Sequence, residues 1–113
     1  MKITRRFTTE GKDVYSMFEW SKRTSRISNP DGSVVFEMTD AEIPARWSQL
    51  ATDIMVSKYF RKAGVPQADG TLGSEKSARQ VIHRLAGCWT HWGRNHGYFD
   101  TEADAKAFYD ELA

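Results

Sequence analysis

Cysteine is nearly absent from this 113-residue chain, with Cys88 the single example. One thiol excludes an intrachain disulfide and any multi-cysteine zinc site. The eight glycines form neither a Walker pattern nor a dinucleotide fingerprint, so no phosphate-cradling loop is expected. No apolar run exceeds a few residues, which excludes a transmembrane helix. For the same reason the basic start Met1-Lys2-Ile3-Thr4-Arg5-Arg6 leads into no signal sequence. Charge of one sign is not in excess: 16 Lys and Arg face 15 Asp and Glu, a formal +1. The total gives no indication of a polyanion-binding chain. A cytoplasmic protein is the expectation.

Aromatic area is what the chain has in quantity, with four Trp, six Phe and four Tyr. With 40% hydrophobic and 27% charged residues the balance is that of a globular fold. The length suits one domain, residues 1–113. The charge is uneven along the chain. Asp100, Glu102, Asp104, Asp110 and Glu111 face only Lys106 after residue 99, the pattern of a solvated acidic face on a C-terminal helix.

The periodicities predict an α+β fold: a small antiparallel sheet or hairpin within residues 2–38, packed with three helices at about 44–63, 74–94 and 101–113. Ile3 and Phe7 fall on one face of a short first strand. Val14, Phe18 and Trp20 lie on one side of a second, opposite Tyr15, Met17 and Glu19. Asn29-Pro30-Asp31-Gly32 is a specific turn signal. Asn accepts local hydrogen bonds, Pro30 presets φ, and Gly32 supplies the left-handed residue of a bulged hairpin loop. A hairpin over 25–38 follows, with Val34, Phe36 and Met38 alternating on the return strand. Pro44 suits a first helical turn. Trp47, Leu50, Ala51, Ile54 and Met55 make one helical face, and Gly64 and Pro66 end that helix. Residues 65–73 read as a loop. Ser74 is the expected cap of the second helix, with Glu75 in its first turn. Its apolar stripe is Ala78, Val81, Ile82, Leu85, Trp89 and Trp92, and Gly93 and Gly97 bracket its fraying end. Asp100 or Thr101 can cap a third helix whose apolar face is Ala105, Phe108, Tyr109 and Leu112. That helix runs to residue 113 without a stop signal.

Few residues suggest chemistry. Cys88, His91 and His96, with His83 upstream, are the one cluster of metal-ligand types. A closed zinc site needs four ligands, and His83 lies on another face from Cys88. A small buried thiol beside surface histidines is the preferred reading. A Cys–His nucleophile lacks an orienting acid and an oxyanion loop. The segment Trp89-Thr90-His91-Trp92-Gly93-Arg94-Asn95-His96-Gly97-Tyr98 could stack on bases, although a packing cluster at a helix end is preferred. Lys22, Arg23 and Arg26 read as edge-strand charges that deter aggregation.

Several motifs in order carry a resemblance. Ile27-Ser28-Asn29-Pro30-Asp31-Gly32-Ser33-Val34-Val35-Phe36 is followed by Ile43-Pro44-Ala45-Arg46-Trp47-Ser48-Gln49 and Ala51-Thr52-Asp53-Ile54. Then come Lys58-Tyr59-Phe60-Arg61-Lys62-Ala63-Gly64-Val65-Pro66, Arg84-Leu85-Ala86-Gly87-Cys88-Trp89-Thr90 and Gly97-Tyr98-Phe99-Asp100. Over nearly its whole length the chain resembles the N-terminal region of the adenosylcobalamin (vitamin B12)-dependent, class II ribonucleotide reductases. The resemblance implies a scaffold that supports a ten-stranded α/β barrel. The radical cysteine, the reducing pair, the substrate residues and the cobalamin site belong to that barrel and have no counterpart here. It therefore implies no catalytic, cofactor-binding or metal residue in this chain, and no role for Cys88. The implied partner is the barrel, in cis or in trans, with a homodimer as the closed solution when the barrel is missing. Neither a membrane nor nucleic acid is implied. The candidate interaction surface is Tyr59, Phe60, Trp89, Trp92, Arg94, Tyr98, Phe108 and Tyr109. The reading from another class is a small nucleotide- or nucleic-acid-binding module built on the Trp89–Tyr98 cluster with Lys22, Arg23 and Arg26.

Overall fold

The structure, a computed structural model, describes residues 1–113. The chain divides into two compact units, Phe18–Val81 on the one hand and Met1–Met17 with Ile82–Ala113 on the other. The architecture is α+β, with two small antiparallel sheets of two strands each and three α-helices.

In the unit Phe18–Val81, β1 (Trp20–Ser28) pairs antiparallel with β2 (Val34–Pro44). The expected hairpin over 25–38 is present and longer than its sequence signal. Its turn closes as the residue types require. The Asn29 N–H donates to Ser33 O at 2.7 Å and the Gly32 N–H to Asn29 O at 2.9 Å, with Gly32 at φ +88°. The pairing register slips between Arg23 and Ser25, where Thr39 and Asp40 face Thr24 alone. Asp40 takes φ +56°, left-handed for a residue with a Cβ. This bulge changes the parity of β2. Phe36 and Met38 turn inward before it and Ala41 and Ile43 after it. Ala41 and Ile43 form the core with Val56, Phe60, Ala78 and Val81, and Trp20, Phe36, Met38, Trp47 and Met55 pack on it.

The first helix is much shorter than the expected 44–63. Pro44 is the last residue of β2, paired with Trp20, and the Ala45 N–H still donates to Glu19 O at 2.8 Å. α1 runs only Gln49–Ile54, with Ser48 Oγ accepting the Ala51 N–H at its start. It passes directly into a π-helical turn, Met55–Tyr59. The expected apolar face is correspondingly out of phase. Thr52, Val56 and Phe60 are buried, whereas Leu50 is 70% exposed and Ile54 42%. Tertiary bonds fix this rotation, since Asp53 accepts from Ser25 Oγ at 2.8 Å and Gln49 Nε2 donates to Thr24 O at 3.0 Å.

Residues 65–73 are not a plain loop. β3 (Val65–Pro66) and β4 (Leu72–Gly73) form a second hairpin whose turn, Gln67-Ala68-Asp69-Gly70-Thr71, repeats the bonding of the first. The Gln67 N–H donates to Thr71 O at 2.8 Å and the Gly70 N–H to Gln67 O at 3.0 Å. Beyond it Glu75 is buried, not in a helical first turn. Its carboxylate accepts the Arg61 N–H at 2.7 Å, and its own N–H donates to Arg61 O at 2.8 Å. The Glu42 N–H donates to Lys76 O at 2.9 Å. These bonds hold 75 and 76 out of a helix, and α2 begins at Ala78 (Ala78–Asn95), not at 74. Ser77 and Gln80 do what Ser74 was expected to do. Ser77 Oγ accepts the Arg79 N–H and Gln80 Oε1 accepts the Ser77 N–H, both at 3.1 Å, in the manner of a capping box.

In the other unit the N-terminal residues form no strand, and Val14–Met17 is one turn of 3-10 helix. The strands expected around Ile3–Phe7 and Val14–Phe18 are therefore absent. N–H groups of the first of these segments bond to carboxylates on α3 (Glu102–Leu112) instead of to another strand. Asp104 accepts the Ile3 N–H at 3.0 Å, and Glu111 accepts the N–H groups of Arg6 and Phe7 and the Thr8 hydroxyl. α3 starts as expected at Thr101, whose hydroxyl and N–H form a reciprocal box with Asp104. Gly93 lies within α2, and the helix ends at Gly97 (φ +68°). There the Tyr98 N–H reaches back to Gly93 O at 2.9 Å and the Gly97 N–H to Arg94 O at 3.2 Å, the Schellman arrangement.

Candidate functional site

The second half of α2 carries most of what could serve a function. On its buried side lie Ala86, Thr90 and Gly93. Phe99 covers Gly93 so closely that a Cβ there would come within 2.5 Å of its ring, and Phe99 packs on Phe108 at 5.3 Å between centroids. The apolar stripe read from the sequence divides in two. Ala78 and Val81 are buried in the core, but Leu85, Trp89 and Trp92 face solvent, the tryptophans at 45% and 55% exposure. Their spacing of four and three puts these three side chains on one helical face. A hydrophobic stripe therefore stands unpartnered over two turns.

The other candidate surface residues are dispersed. Tyr59 and Tyr98 are exposed, at 59% and 60%. Phe60 is 4% exposed and belongs to the core, so it is removed from any surface. Phe108 is half-buried against Phe99. Arg94 reaches Glu102 through Nε at 3.1 Å and also through Nη2. The turn residues Asn29, Pro30, Asp31 and Gly32 are structural, as expected. Asp31 accepts from Ser33 Oγ and Ser33 N–H, which hold its carboxyl below the usual range.

Tyr109 lies in a short polar chain that sequence reading missed. Its Oη is 2.7 Å from Tyr15 Oη and 2.7 Å from His83 Nδ1. Burial pushes the Tyr109 phenol above its ordinary pKa, so it stays neutral and can both donate and accept. The i, i+26 separation of His83 and Tyr109 leaves no local sequence signal for this contact. The remaining groups of metal-ligand type do not converge. His91 Nε2 is 3.0 Å from Asn95 Nδ2, Cys88 is exposed and not buried as the sequence suggested, and no three His, Cys, Asp or Glu side chains stand together as a metal would need.

The basic stretch on β1 also resolves into structure. Arg23 is not a free edge charge. Its guanidinium donates to Ala45 O at 2.6 Å, to Thr52 Oγ1 at 3.2 Å and to Trp47 O, tying β1 to the segment that leads into α1. Arg79 lies over the Trp20 ring at 4.3 Å and beside Glu42 at 2.9 Å, close in distance but with its Nε–H off the hydrogen-bond line. No helix is long and apolar enough to cross a membrane.

Comparison with known proteins agrees with the resemblance carried by the motifs. Residues 21–113 match the family model described as class II vitamin B12-dependent ribonucleotide reductase. A vitamin B12-dependent ribonucleotide reductase of Agrobacterium fabrum is 46% identical in an alignment that takes in 100% of this chain and 11% of that protein. Its counterpart in Bradyrhizobium diazoefficiens is 43% identical over 99% of the chain, and that of Streptomyces avermitilis 41% over 100%, again with 11% of each relative covered. The chain thus spans about a tenth of the length of these relatives. It belongs to the class II vitamin B12-dependent ribonucleotide reductase family, as the N-terminal domain of such a protein.

Proposed function

We propose that this domain is a scaffold that docks on the catalytic barrel of a vitamin B12-dependent ribonucleotide reductase and performs no radical step itself. The observation that carries the reading is the Leu85–Trp89–Trp92 stripe. Large aromatic side chains on one helical face are the kind of anchors that dominate protein interfaces when covered. Left in water they form a patch that invites association. The relatives are long enough to supply the covering surface in the same polypeptide.

The chemistry of the chain supports the second half of the reading. One thiol cannot serve both as a radical centre and as the dithiol pair that a two-electron reduction consumes. A pocket between α2 and α3, about 410 Å³, is small for a corrinoid, and no residue set here fits adenosylcobalamin. That cofactor belongs with the remainder of the reductase. The nucleic-acid reading is weakened because Arg23, one of its three β1 cations, is spent on carbonyl oxygens.

The test is the double substitution Trp89→Ser, Trp92→Ser, made in the isolated domain and in a full-length reductase carrying it. The expected outcome is an unchanged melting transition of the isolated domain at a concentration where it is monomeric, and a less stable, less active full-length enzyme. Full activity and stability in the substituted full-length enzyme would overturn the docking role. Deoxyribonucleotide formation by the 113-residue chain alone, given cobalamin and a dithiol, would overturn the non-catalytic one.

A further inference from the structure

The docking face extends beyond the two tryptophans. Leu85, Trp89, Trp92 and His96 follow one another at spacings of four, three and four, the pattern by which a helix lays one side into a groove. All four side chains are exposed. The His96 N–H still donates to Trp92 O at 3.1 Å, so His96 continues the helical turn beyond Asn95. Its ring lies 6.0 Å from that of Tyr98. The face is thus graded in polarity. It is purely apolar at Leu85, amphipathic at the two indoles and polar where His96 meets Tyr98.

Each indole carries one donor, its Nε1–H, and no acceptor. No oxygen or nitrogen of the domain takes up either donor, and at 45% and 55% exposure both rings stand in water. Covering the face removes that water, and a buried N–H left without an acceptor opposes association. A matching surface must therefore be apolar beside Leu85 and offer an acceptor to each indole further along. A guanidinium or ammonium can lie on an indole ring but cannot accept its N–H, so the acceptors are carbonyl, carboxylate or hydroxyl oxygens. The matched segment is 11% of the length of the Agrobacterium fabrum relative, which leaves ample chain to form such a surface in the same polypeptide. Resting on the docking role above, we propose that α2 is covered by an apolar groove in the remainder of the reductase that presents one hydrogen-bond acceptor to the Nε1–H of Trp89 and another to that of Trp92.

The test replaces one of the two indoles at a time, in a full-length reductase carrying this domain, with benzothienylalanine, a tryptophan isostere that has sulfur in place of the ring N–H. Ring size and apolar area are kept and only the donor is lost. Docking is read from oxidative footprinting of the other tryptophan along a urea gradient. In the parent enzyme that tryptophan should stay protected up to a defined urea midpoint. The isostere at either position should lower the midpoint, by an amount that corresponds to docking about tenfold weaker, because a buried acceptor loses its donor. The same replacement should leave the melting transition of the dilute isolated chain unchanged. Midpoints equal to the parent's at both positions would overturn the acceptors and leave the docking role intact. A lower midpoint matched by an equal destabilisation of the isolated chain would also overturn them, since it would place the lost bond within the domain. Tryptophans as reactive in the parent full-length enzyme as in the isolated chain would instead remove the docking role, and this groove with it.

Discussion

Asp31 and Asp69 each precede a left-handed glycine, and each carboxylate accepts the N–H and the hydroxyl of the residue two positions on. Asp-Gly-Ser and Asp-Gly-Thr are thus one turn used twice. Nothing lies within 4 Å of a Cβ at Gly32 or Gly70, so the requirement there is purely one of backbone conformation. Gly32→Val and Gly70→Val should each cost about 1–2 kcal/mol, the price of a left-handed residue with a side chain, as read in urea melts. Gly93 is glycine for a different reason. Its backbone is ordinary, but the Phe99 ring occupies the space of a side chain. Gly93→Ala should therefore destabilise by about 1–3 kcal/mol through overpacking, although alanine is the better helix former. Glu75→Ala removes the buried carboxylate that accepts the Arg61 N–H and should cost about 1–3 kcal/mol. Melts that place these variants beside the parent would refute the corresponding contacts.

At the scale of elements, what could be read from the sequence was what local chemistry determines. The Asn29–Gly32 turn, the Thr101 cap and the glycine stop at Gly97 depend on a few neighbouring residues, and each is found where its residue types put it. Asp69-Gly70 carried the same signal as Asp31-Gly32. It was hidden because strands of two residues leave no alternation to flank the turn. Non-local bonds decided the rest. The bulge at Thr39–Asp40 reverses inward parity in mid-strand, and a π-helical turn rotates the face of the first helix. The N-terminal residues alternate like a strand, yet find their partners in the side chains of α3. Those partners make a pH-dependent attachment. The Ile3 N–H lowers the pKa of Asp104, and the Arg6 N–H, first among several donors, lowers that of Glu111. A carboxylate with a depressed folded pKa contributes stability above its unfolded value, and that contribution is lost as the pH falls through the folded value. Hydrogen exchange at Ile3, Arg6 and Phe7, corrected for the intrinsic acid dependence, should therefore lose protection below about pH 4. Asp104→Asn with Glu111→Gln should reproduce that loss at neutral pH. Protection that is unchanged in both cases would mean that these carboxylates do not hold the segment.

At the scale of the whole molecule, the candidate site was half legible. Sequence periodicity located the apolar stripe on α2 but could not say which of its residues face inward. Helical spacing is the same for a buried seam and for an unpartnered one, so Leu85, Trp89 and Trp92 could be assigned to solvent only from the fold. The Tyr15–Tyr109–His83 chain was invisible because its groups come from distant positions in the sequence. The stripe leads to a prediction about association. With no barrel present, tens of micromolar isolated chain should self-associate in sedimentation, and Trp89→Ser with Trp92→Ser should return it to a monomer. Dimers that survive that double substitution would place the sticky surface elsewhere. The central claim, that the tryptophan stripe is the face covered by the rest of the reductase, is tested most directly by oxidative footprinting of Trp89 and Trp92. Both should react readily in the dilute isolated chain and be protected in a full-length reductase carrying this domain. Equal reactivity of the two tryptophans in both proteins would contradict the account.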